Sequence, residues 1–352
     1  MTTDTNEVDG LGRGGIPWSR RATAKDVAAL AQVSTQTVSR VANNADGVLP
    51  ETRAKVLEAM FKVGYTPNAA ARALRSGGTR TIGIIPHQLN TTGEAHVVEA
   101  VSAAAHRHNY AVSLAEVPDW TASGVNSAIG RLHQSVSGLV ILGLENVEVE
   151  KLHIPQNLPM VASDNRALAL PSVGFDQAGG ARLAVTHLLA LGHKTVHFVG
   201  GPEYSVQSQQ REEGWRSTLV AAGRPVPPPE VGDWTPMSGY AAGRRLADNR
   251  QVTAIFVAND EMAAGVMRAL HEVGRQIPED VSVVGFDNVL AEYLWPPLTS
   301  IHQDFAKVGE TLVQVLLSQI EGQENDGAPA TPSVIPGWLE VRASSGPAPR
   351  SD

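Results

Sequence analysis

The chain lacks several features that would place it in common protein classes. Its 352 residues include no cysteine, which excludes disulfides and thiolate metal sites. No apolar run is long enough to span a bilayer, and the N-terminal residues lack the apolar segment of a secretory signal. We therefore expect a cytoplasmic protein with a disordered leader over residues 1–21. The hydrophobic content of 42% allows two or three domains with cores of their own.

Positive charge is scarce overall but concentrated near the N-terminus. The net charge is −8, yet residues 20–80 carry ten Lys or Arg against four Asp or Glu, a balance of +6. The remaining residues carry 18 basic and 32 acidic groups, a balance of −14. A basic module on an acidic body indicates local contact with nucleic acid, although a solvated basic surface would give the same count.

The short stretch STQTVSRVAN at residues 34–43 helps to choose between these interpretations. Val38 and Val41 are three residues apart, which gives a helix one apolar face. Ser34 is a suitable N-cap. The opposite face carries Thr35, Gln36 and Arg40, polar side chains that contribute little to a core. This face is free to bind a partner.

Two further short helices flank that stretch. TAKDVAALAQVS has apolar residues at helical spacing with Thr23 as a candidate cap, and it must end before Ser34. ETRAKVLEAMFKVGY repeats apolar residues in the same way and ends at Gly64, with Pro67 following. Two short helices joined by a tight turn are the helix-turn-helix pattern, and we assign residues 22–67 to such a DNA-binding domain.

These segments identify a resemblance to a known family. VSxxTVSRVxN, ETRxKVLxAxxxxGYxPN and ARxL occur in order and at the spacing of the LacI/GalR family of bacterial transcriptional repressors. The chain departs from that pattern at two places. Gln32 stands where the family usually has Gly, which costs roughly 1 kcal/mol if φ is positive. Leu49 stands where a Ser-type cap would precede the third helix.

The resemblance implies roles for the polar side chains of the second helix. Thr35, Gln36 and Arg40 would contact base edges in the major groove, since Gln can pair with adenine and Arg with guanine. Other side chains would contact phosphates or, alternatively, only cap helices: Thr23, Ser34, Thr37, Ser39, Asn43 and Thr52.

Residues 68–79 connect this module to the rest of the chain. NAAARALRSGG is rich in alanine but too short to be a stable helix alone. In the family this segment is a hinge helix that folds on the operator and inserts an apolar wedge into the minor groove. Leu74 occupies the wedge position, with Asn68 and Ala71 beside it. The alternative is an ordinary linker with Leu74 packed on the body.

From Thr81 onward, short apolar runs alternate with amphipathic helical stretches. This order is typical of doubly wound parallel sheets, and about 260 residues suggest two lobes. The fold class is thus α/β: a three-helix helix-turn-helix module and hinge helix, then a two-lobed body like periplasmic binding proteins. We predict an effector-binding and dimerisation domain over 80–345, with lobe 1 at 80–176 and 303–330, lobe 2 at 177–302 and 331–345, and a disordered tail over 346–352. The predicted buried strands are TIGIIP, YAVSLAEV, SGLVILG, LPMVAS, SVGFD, KTVHFVG, TAIFVAND and VSVVGFD.

The resemblance continues to about residue 345 and narrows, in the second lobe, toward the lactose-repressor branch of the family. It implies an effector pocket lined by planar polar side chains and aromatic faces, which suit a sugar. His87 and Leu142 depart from that branch, which has Ser and Asn there. The implied effector-binding residues are His87, Asp164, Phe175, Arg211, Trp234, Asn259, Asp287 and Gln303. Alternatively, the two aspartates cap the next elements and Trp234 packs in a core.

We find no pattern that indicates catalysis. The sequence has no G-x-S-x-G elbow, H-E-x-x-H motif or metal-ligand cluster, and His193 follows Leu-Gly in a helix-ending turn, a structural setting. We therefore expect no enzyme, no metal and no cofactor. A sugar-modifying enzyme fused to a DNA-binding module and an extracytoplasmic sugar receptor are the rival classes.

The sequence as a whole predicts an allosteric, homodimeric repressor of sugar-utilisation genes, associated with the nucleoid. A small sugar, with a galactoside or related β-sugar favoured, would release it from a palindromic operator on double-stranded DNA. The rival within the family is a corepressor logic, in which the ligand strengthens DNA binding. No heptad pattern follows WLEVRAS, so we expect a dimer and not a tetramer.

Overall fold

A computed structural model describes residues 22–42, 45–65, 79–144, 147–166, 168, 170–322 and 332–350. The chain divides into two compact units at Thr79 and Arg80. In the described residues, the first contains three helices and the second contains two sheets with their covering helices. Together the described residues form mixed α/β structure with a helix-turn-helix unit and a two-lobed body, as the sequence predicts. No helix in these ranges is both long and apolar enough to cross a bilayer.

The N-terminal unit is built from three short helices around one small core. Each helix contributes its apolar face, and Val27, Val38 and Val56 are fully buried where the three faces meet. A unit this small has little core to stabilise it, so helix ends matter more than usual. The helices are α1 (Ala24–Ala31), α2 (Thr35–Ala42) and α3 (Pro50–Val63).

Caps and turns in this unit follow the sequence expectations. The Ser34 hydroxyl accepts a hydrogen bond from the backbone N–H of Thr37 at 3.0 Å, as an N-cap should. Gln32 adopts φ 52° and ψ 47°, the left-handed conformation that the family's usual Gly tolerates and a side chain disfavours. Leu49 precedes α3 without a side-chain cap, and Pro50 begins that helix.

The body contains two six-stranded sheets, one in each lobe. The first has the order β11-β5-β4-β3-β1-β2, all parallel, and the second has the order β12-β10-β9-β8-β6-β7, in which β12 is antiparallel to β10. The strands are β1 (Thr81–Ile85), β2 (Ala111–Leu114), β3 (Gly138–Leu142), β4 (Met160–Ser163), β5 (Ser172–Phe175), β6 (His197–Gly200), β7 (Glu230–Val231), β8 (Ala254–Val257), β9 (Ser282–Asp287), β10 (Thr299–His302), β11 (Ser333–Ile335) and β12 (Trp338–Glu340).

Helices cover both faces of each sheet, which is why most strands are apolar along their whole length. The first lobe has one buried cluster on each face of its sheet, and the second lobe has one large cluster around Trp215, Phe198 and Phe256. The helices are α4 (Thr92–Arg107), α5 (Ala122–Leu132), α6 (Gln177–Ala190), α7 (Val206–Ala221), α8 (Pro236–Ala247), α9 (Asp260–Glu272) and α10 (Phe305–Ile320).

The chain crosses between the lobes at three places in the described body. It leaves the first sheet after β5 and enters α6 of the second lobe, then returns from β10 to α10. The last crossing lies between β11, in the first sheet, and β12, in the second. Gln177 is the first residue of α6 and Gln303 follows β10, so both lie at crossings.

Three details differ from the sequence expectations. The lobe 2 assignment of 331–345 is wrong in part, because Ser333–Ile335 pairs with β5 of the first sheet. The tail over 346–352 is not disordered throughout, since Ala348 donates its N–H to the Leu191 carbonyl at 2.9 Å. The run YAVSLAEV is not a buried strand, because β2 is an edge strand on which Leu114 is 51% exposed. Edge strands have only one neighbour, and apolar alternation alone does not reveal that.

Candidate functional site

A cavity of about 450 Å³ lies between the two lobes, at the carboxyl ends of their strands. We call it the interlobe cavity. Its position follows from the fold, since ligands of doubly wound sheets bind at the carboxyl edge. Side chains of both lobes form its walls, including His87, Leu142, Phe175 and Phe305 from the first and Arg211, Trp234, Asn259, Glu261 and Asp287 from the second.

A closed ring of four polar side chains forms the floor of the interlobe cavity. Arg211 lies 3.2 Å from Asp287 and donates to the amide oxygen of Gln177 at 2.8 Å. Gln303 donates to Asp287 at 2.5 Å and accepts from Gln177 at 3.4 Å. These hydrogen bonds hold the four side chains in one arrangement, and a fixed arrangement lowers the entropy cost of binding a ligand.

Burial sets the electrostatics of this ring. The side chains of Arg211 and Asp287 are only 5% and 7% exposed. Burial lowers the pKa of Arg211, while the nearby Asp287 charge opposes that shift. Burial raises the pKa of Asp287, and Arg211 and Gln303 oppose the change. Each charge thus depends on the other, so removing one partner leaves a buried, unpaired charge.

Aromatic faces border the ring on its second-lobe side. The Arg211 guanidinium lies over the Phe286 ring at 3.8 Å and over the Trp234 ring at 5.5 Å. Trp234 has φ 72° and lies so close to Gly201 that a Cβ atom there would approach the indole to 2.4 Å. Only glycine at 201 leaves room for this ring. Strained backbone of this kind is retained where surrounding contacts fix it.

The start of α9 places three more polar groups at the cavity. Asn259 caps the helix, accepting from the Met262 N–H at 2.9 Å and donating to the Trp234 carbonyl at 3.0 Å. Asp260 lies behind it and accepts hydrogen bonds from Ser300 and from two backbone N–H groups. Burial and the nearby Asp287 raise the pKa of Asp260 to about 7. Burial also raises the pKa of Glu261, the next residue, on the cavity wall.

The first-lobe wall combines apolar and polar side chains. Phe175 and Phe305 meet edge to face with ring centroids 5.2 Å apart, and Leu142 is almost fully buried. Polar side chains on the same wall include His87 and Glu94. The His87 ring is tilted against Trp120 with centroids 4.6 Å apart, and its backbone N–H donates to the Glu94 carboxylate. Burial lowers the pKa of His87 and so favours the neutral imidazole, which offers one N–H donor and one acceptor nitrogen.

Seven of the eight effector-binding residues predicted from the sequence line the interlobe cavity. The eighth, Asp164, lies beside a smaller cavity of about 50 Å³ and is bonded through both oxygens to Arg166, at 2.6 to 3.1 Å. Sequence reasoning missed Gln177, Glu94 and Glu261. Glu94 and Glu261 lie in the first turns of α4 and α9, beside the ends of predicted strands. That position in the sequence could have identified both as candidate site residues.

The predicted DNA-reading side chains lie on one face of α2. Thr35, Gln36 and Arg40 are exposed, opposite the buried Val38 and Val41. Arg40 donates to the Asp46 carbonyl at 2.7 Å. Thr23, Ser34, Thr37, Ser39 and Thr52 lie at the ends or sides of the three helices. Asn43, Asn68, Ala71 and Leu74, and with them the predicted hinge helix apart from Thr79, lie outside the described residues.

Comparison with known proteins agrees with both units. A family model for bacterial regulatory proteins of the lacI family matches residues 23–68, and one for a periplasmic binding protein-like domain matches residues 185–345. The lactose operon repressor of Escherichia coli (strain K12) is 36% identical over 315 residues, covering 87% of this chain and 86% of that protein. The chain belongs to the LacI family.

Solved structures of LacI-family members have the same fold. One is the lac repressor dimer bound to operator and the anti-inducer ONPF, with a TM-score of 0.77, 32% identity, and coverage of 93% of this chain and 100% of that one. Another is the complex of the transcriptional regulator CelR with cellobiose, with a TM-score of 0.64, 31% identity, and coverage of 92% and 100%. The chain is therefore a DNA-binding transcription regulator and not an enzyme.

Proposed function

We propose that this LacI-family regulator is a homodimeric repressor of sugar-utilisation genes that a small neutral sugar releases from a palindromic operator. A β-galactoside or a related β-sugar is the favoured effector. The observation that carries the proposal is the hydrogen-bonded ring of Arg211, Asp287, Gln303 and Gln177 beside aromatic faces. Planar groups that bond twice hold sugar hydroxyls, and aromatic rings cover the apolar side of a pyranose.

The proposed role of α2 is to read the operator. Its exposed face offers an amide and a guanidinium, the two side-chain groups that pair in a bidentate way with adenine and guanine. Each such pair contributes about 1–3 kcal/mol of discrimination between bases. The hydroxyls around α2 would then position the helix through phosphates without reading sequence.

A second copy of the chain completes the DNA-binding surface in this proposal. One three-helix unit buries too little DNA for tight specific binding, so two units must be held together by their bodies. Large apolar side chains exposed on the second lobe support body-to-body contact: Met237, Tyr293 and Trp295 are 81%, 79% and 89% exposed. The relative crystallised as a dimer on its operator supports the same arrangement.

A relative solved as a complex supports a sugar effector. CelR binds cellobiose, and the lac repressor dimer binds the anti-inducer ONPF. On the first-lobe wall of the present chain, Leu142 stands where the lactose-repressor branch has Asn, and His87 stands where it has Ser. We therefore infer the sugar class from the second-lobe residues and expect first-lobe residues to determine which sugar binds.

The test combines operator selection with sugar titration. The full chain is used to select duplexes from a randomised library, and the enriched palindrome is then titrated with lactose and with cellobiose. We expect one sugar to weaken operator binding by roughly 5–150-fold, the usual range of allosteric coupling. Arg40→Ala is expected to abolish specific binding and leave sugar binding intact, while the control Lys62→Ala keeps both.

Three outcomes would contradict the proposal. If no palindrome is enriched, the chain does not recognise an operator. If a sugar tightens operator binding, the ligand is a corepressor and does not release the repressor. Loss of sugar binding in Arg40→Ala would mean that the two units do not have the separate tasks proposed for them.

A further inference from the structure

Carboxylates dominate the charged groups around the interlobe cavity. Among the described lining residues, Glu94, Asp233, Glu261 and Asp287 are acidic and Arg211 is the only Lys or Arg. Arg211 is already paired with Asp287 at 3.2 Å. The wall as a whole therefore carries an excess of negative charge that no cation in the described lining balances.

We propose that the interlobe cavity selects uncharged sugars against anionic ones, and that Glu261 is the residue that makes this selection by accepting a hydrogen bond from a ligand hydroxyl. The inference rests on the proposed sugar effector and specifies its chemical class. Sugar phosphates and uronates are excluded, whereas a neutral mono- or disaccharide is accepted.

The state of the Glu261 carboxylate points to a ligand. Its Oε2 atom is buried and has no hydrogen-bond partner in the described part of the chain. Thr92, from the opposite lobe, is within hydrogen-bonding reach of the same carboxylate. An unpaired buried oxygen costs free energy that a bound hydroxyl recovers by donating to it. Glu261 thus faces the space between the lobes with one acceptor unused.

The other carboxylates differ from Glu261 because the protein already occupies them. Glu94 accepts from the backbone N–H groups of His87 and Gln88. Asp233 accepts from the N–H and hydroxyl of Thr235 at 3.0 and 2.6 Å, and these bonds lower its pKa. Glu94 and Asp233 therefore have protein partners, whereas the buried Oε2 atom of Glu261 has none among the described residues, so we assign the direct contact to Glu261.

The same arrangement disfavours an anion. A phosphate or carboxylate in the interlobe cavity would lose its water while lying near several negative side chains, and the one guanidinium is already engaged. Like charges at short range in a partly buried site repel far more strongly than in bulk water. Sites built for phosphates use unpaired Arg or Lys, or helix N-termini with free N–H groups, whereas helices that begin at this cavity are capped by the side chains of Ser205, Thr235 and Asn259.

The test measures the ratio of affinities within matched sugar series by calorimetry on the full chain. Lactose and cellobiose are examined first, followed by galactose, galacturonate and phosphorylated galactose, and by the corresponding glucose series. One of the two series is expected to contain the neutral sugar that binds. In that series, we expect the wild-type protein to bind each anionic sugar with an affinity at least about tenfold lower than that of its neutral parent.

Glu261→Gln keeps the shape of the side chain and removes its charge. We expect this variant to bind the neutral sugar about tenfold more weakly, because a charge-assisted hydrogen bond is lost. We also expect the neutral-to-anionic ratio to fall at least about fivefold. Glu279→Gln, an exposed glutamate of the same lobe, is the matched control and should change neither value. Thr92→Val removes the hydroxyl that reaches Glu261 from the opposite lobe but leaves the carboxylate able to contact the ligand. We expect this variant to keep the wild-type ratio of neutral to anionic sugar affinity.

The outcomes separate this inference from the function it rests on. If anionic and neutral sugars bind equally, or if Glu261→Gln leaves the ratio unchanged, the selection is wrong while the sugar effector stands. If Thr92→Val reproduces the effect of Glu261→Gln, the carboxylate acts through the lobe contact and the proposal fails. If no sugar in either series binds, both the selection and the proposed function are overturned.

Discussion

The two lobes contribute different side chains to the walls of the interlobe cavity. The second lobe contributes the buried ion pair of Arg211 and Asp287, together with Asn259, and each of these is bonded to other protein groups. The first lobe contributes the aromatic pair of Phe175 and Phe305 and polar side chains such as Glu94. Because the buried ion pair lies on the second lobe, we expect changes there to have the larger energetic effect.

The largest expected effect comes from breaking the charged pair on the second lobe. Arg211→Ala should lower the free energy of unfolding by about 3–5 kcal/mol, because Asp287 is left buried without its partner. Operator binding should persist below the unfolding midpoint, and release by sugar should be lost. Urea denaturation and operator titration with the effector sugar measure these outcomes.

An arginine pair on the first lobe provides the comparison. Arg166→Ala removes the ion-pair partner of Asp164, whose side chain is 8% exposed, whereas the Arg166 side chain is 33% exposed. We expect the free energy of unfolding to fall by about 1–3 kcal/mol, between the ranges for exposed and fully buried pairs, because only one end of this pair is in contact with solvent. Equal losses in the two variants, measured by urea denaturation, would mean that the exposure of Arg166 does not reduce the cost of breaking its pair.

The buried acid behind the second-lobe wall makes stability depend on pH. The pKa of Asp260 rises from 3.8 to about 7, so between these values the native state keeps a proton that the unfolded chain has lost. Its contribution to stability is therefore present at low pH and is lost as pH rises through 7. In the wild-type protein, this group lowers the free energy of unfolding by about 2–3 kcal/mol between roughly pH 5 and pH 8, and Asp260→Asn should remove that decrease.

Denaturation curves across that pH range check the prediction. The exposed Asp248→Asn is the control from the same lobe and should follow the wild-type protein. An Asp260→Asn protein with an unchanged pH profile would show that this carboxyl titrates normally. The asparagine can retain the present contacts, since its oxygen can accept from the backbone and its amide can donate to Ser300.

The smallest expected effect is on the first-lobe wall. His87→Ala should weaken binding of the effector sugar by about 1 kcal/mol, because one neutral hydrogen bond is lost. His133→Ala, an exposed change in the same lobe, is the control. A loss for His87→Ala of more than about 3 kcal/mol would mean that the first lobe also anchors the sugar.

The sequence predicted the parts of the molecule that have a local signature. The spacing of Val38 and Val41 predicted α2 and its exposed face, and the gap in the family pattern at Gln32 predicted the left-handed turn. Asn259 and Asp287 were expected at strand ends, and the fold brings them to one edge. The carboxyl ends of all parallel strands lie on the same side of a sheet, so the location of these residues could be predicted without knowing which strands are neighbours.

The parts that were missed depend on contacts distant in the chain. Gln177 is separated from Gln303 by 126 positions, and nothing in either neighbourhood indicates that they meet. Ser333–Ile335 reads as a short apolar run that either sheet could accept, and pairing with β5 decides the outcome. Asp164 is a separate case, because the family resemblance placed it in the pocket whereas the structure bonds it to Arg166, only two residues away.

The ring on the cavity floor has one further consequence. Gln177 and Gln303 lie at two of the three places where the chain passes from one lobe to the other. A molecule that bonds to Arg211 or Asp287 therefore contacts side chains that are hydrogen-bonded to the segments connecting the lobes. A small change in torsion angle in a connecting segment produces a large displacement far from it, so these few hydrogen bonds act at the place where a change in the angle between the lobes would begin.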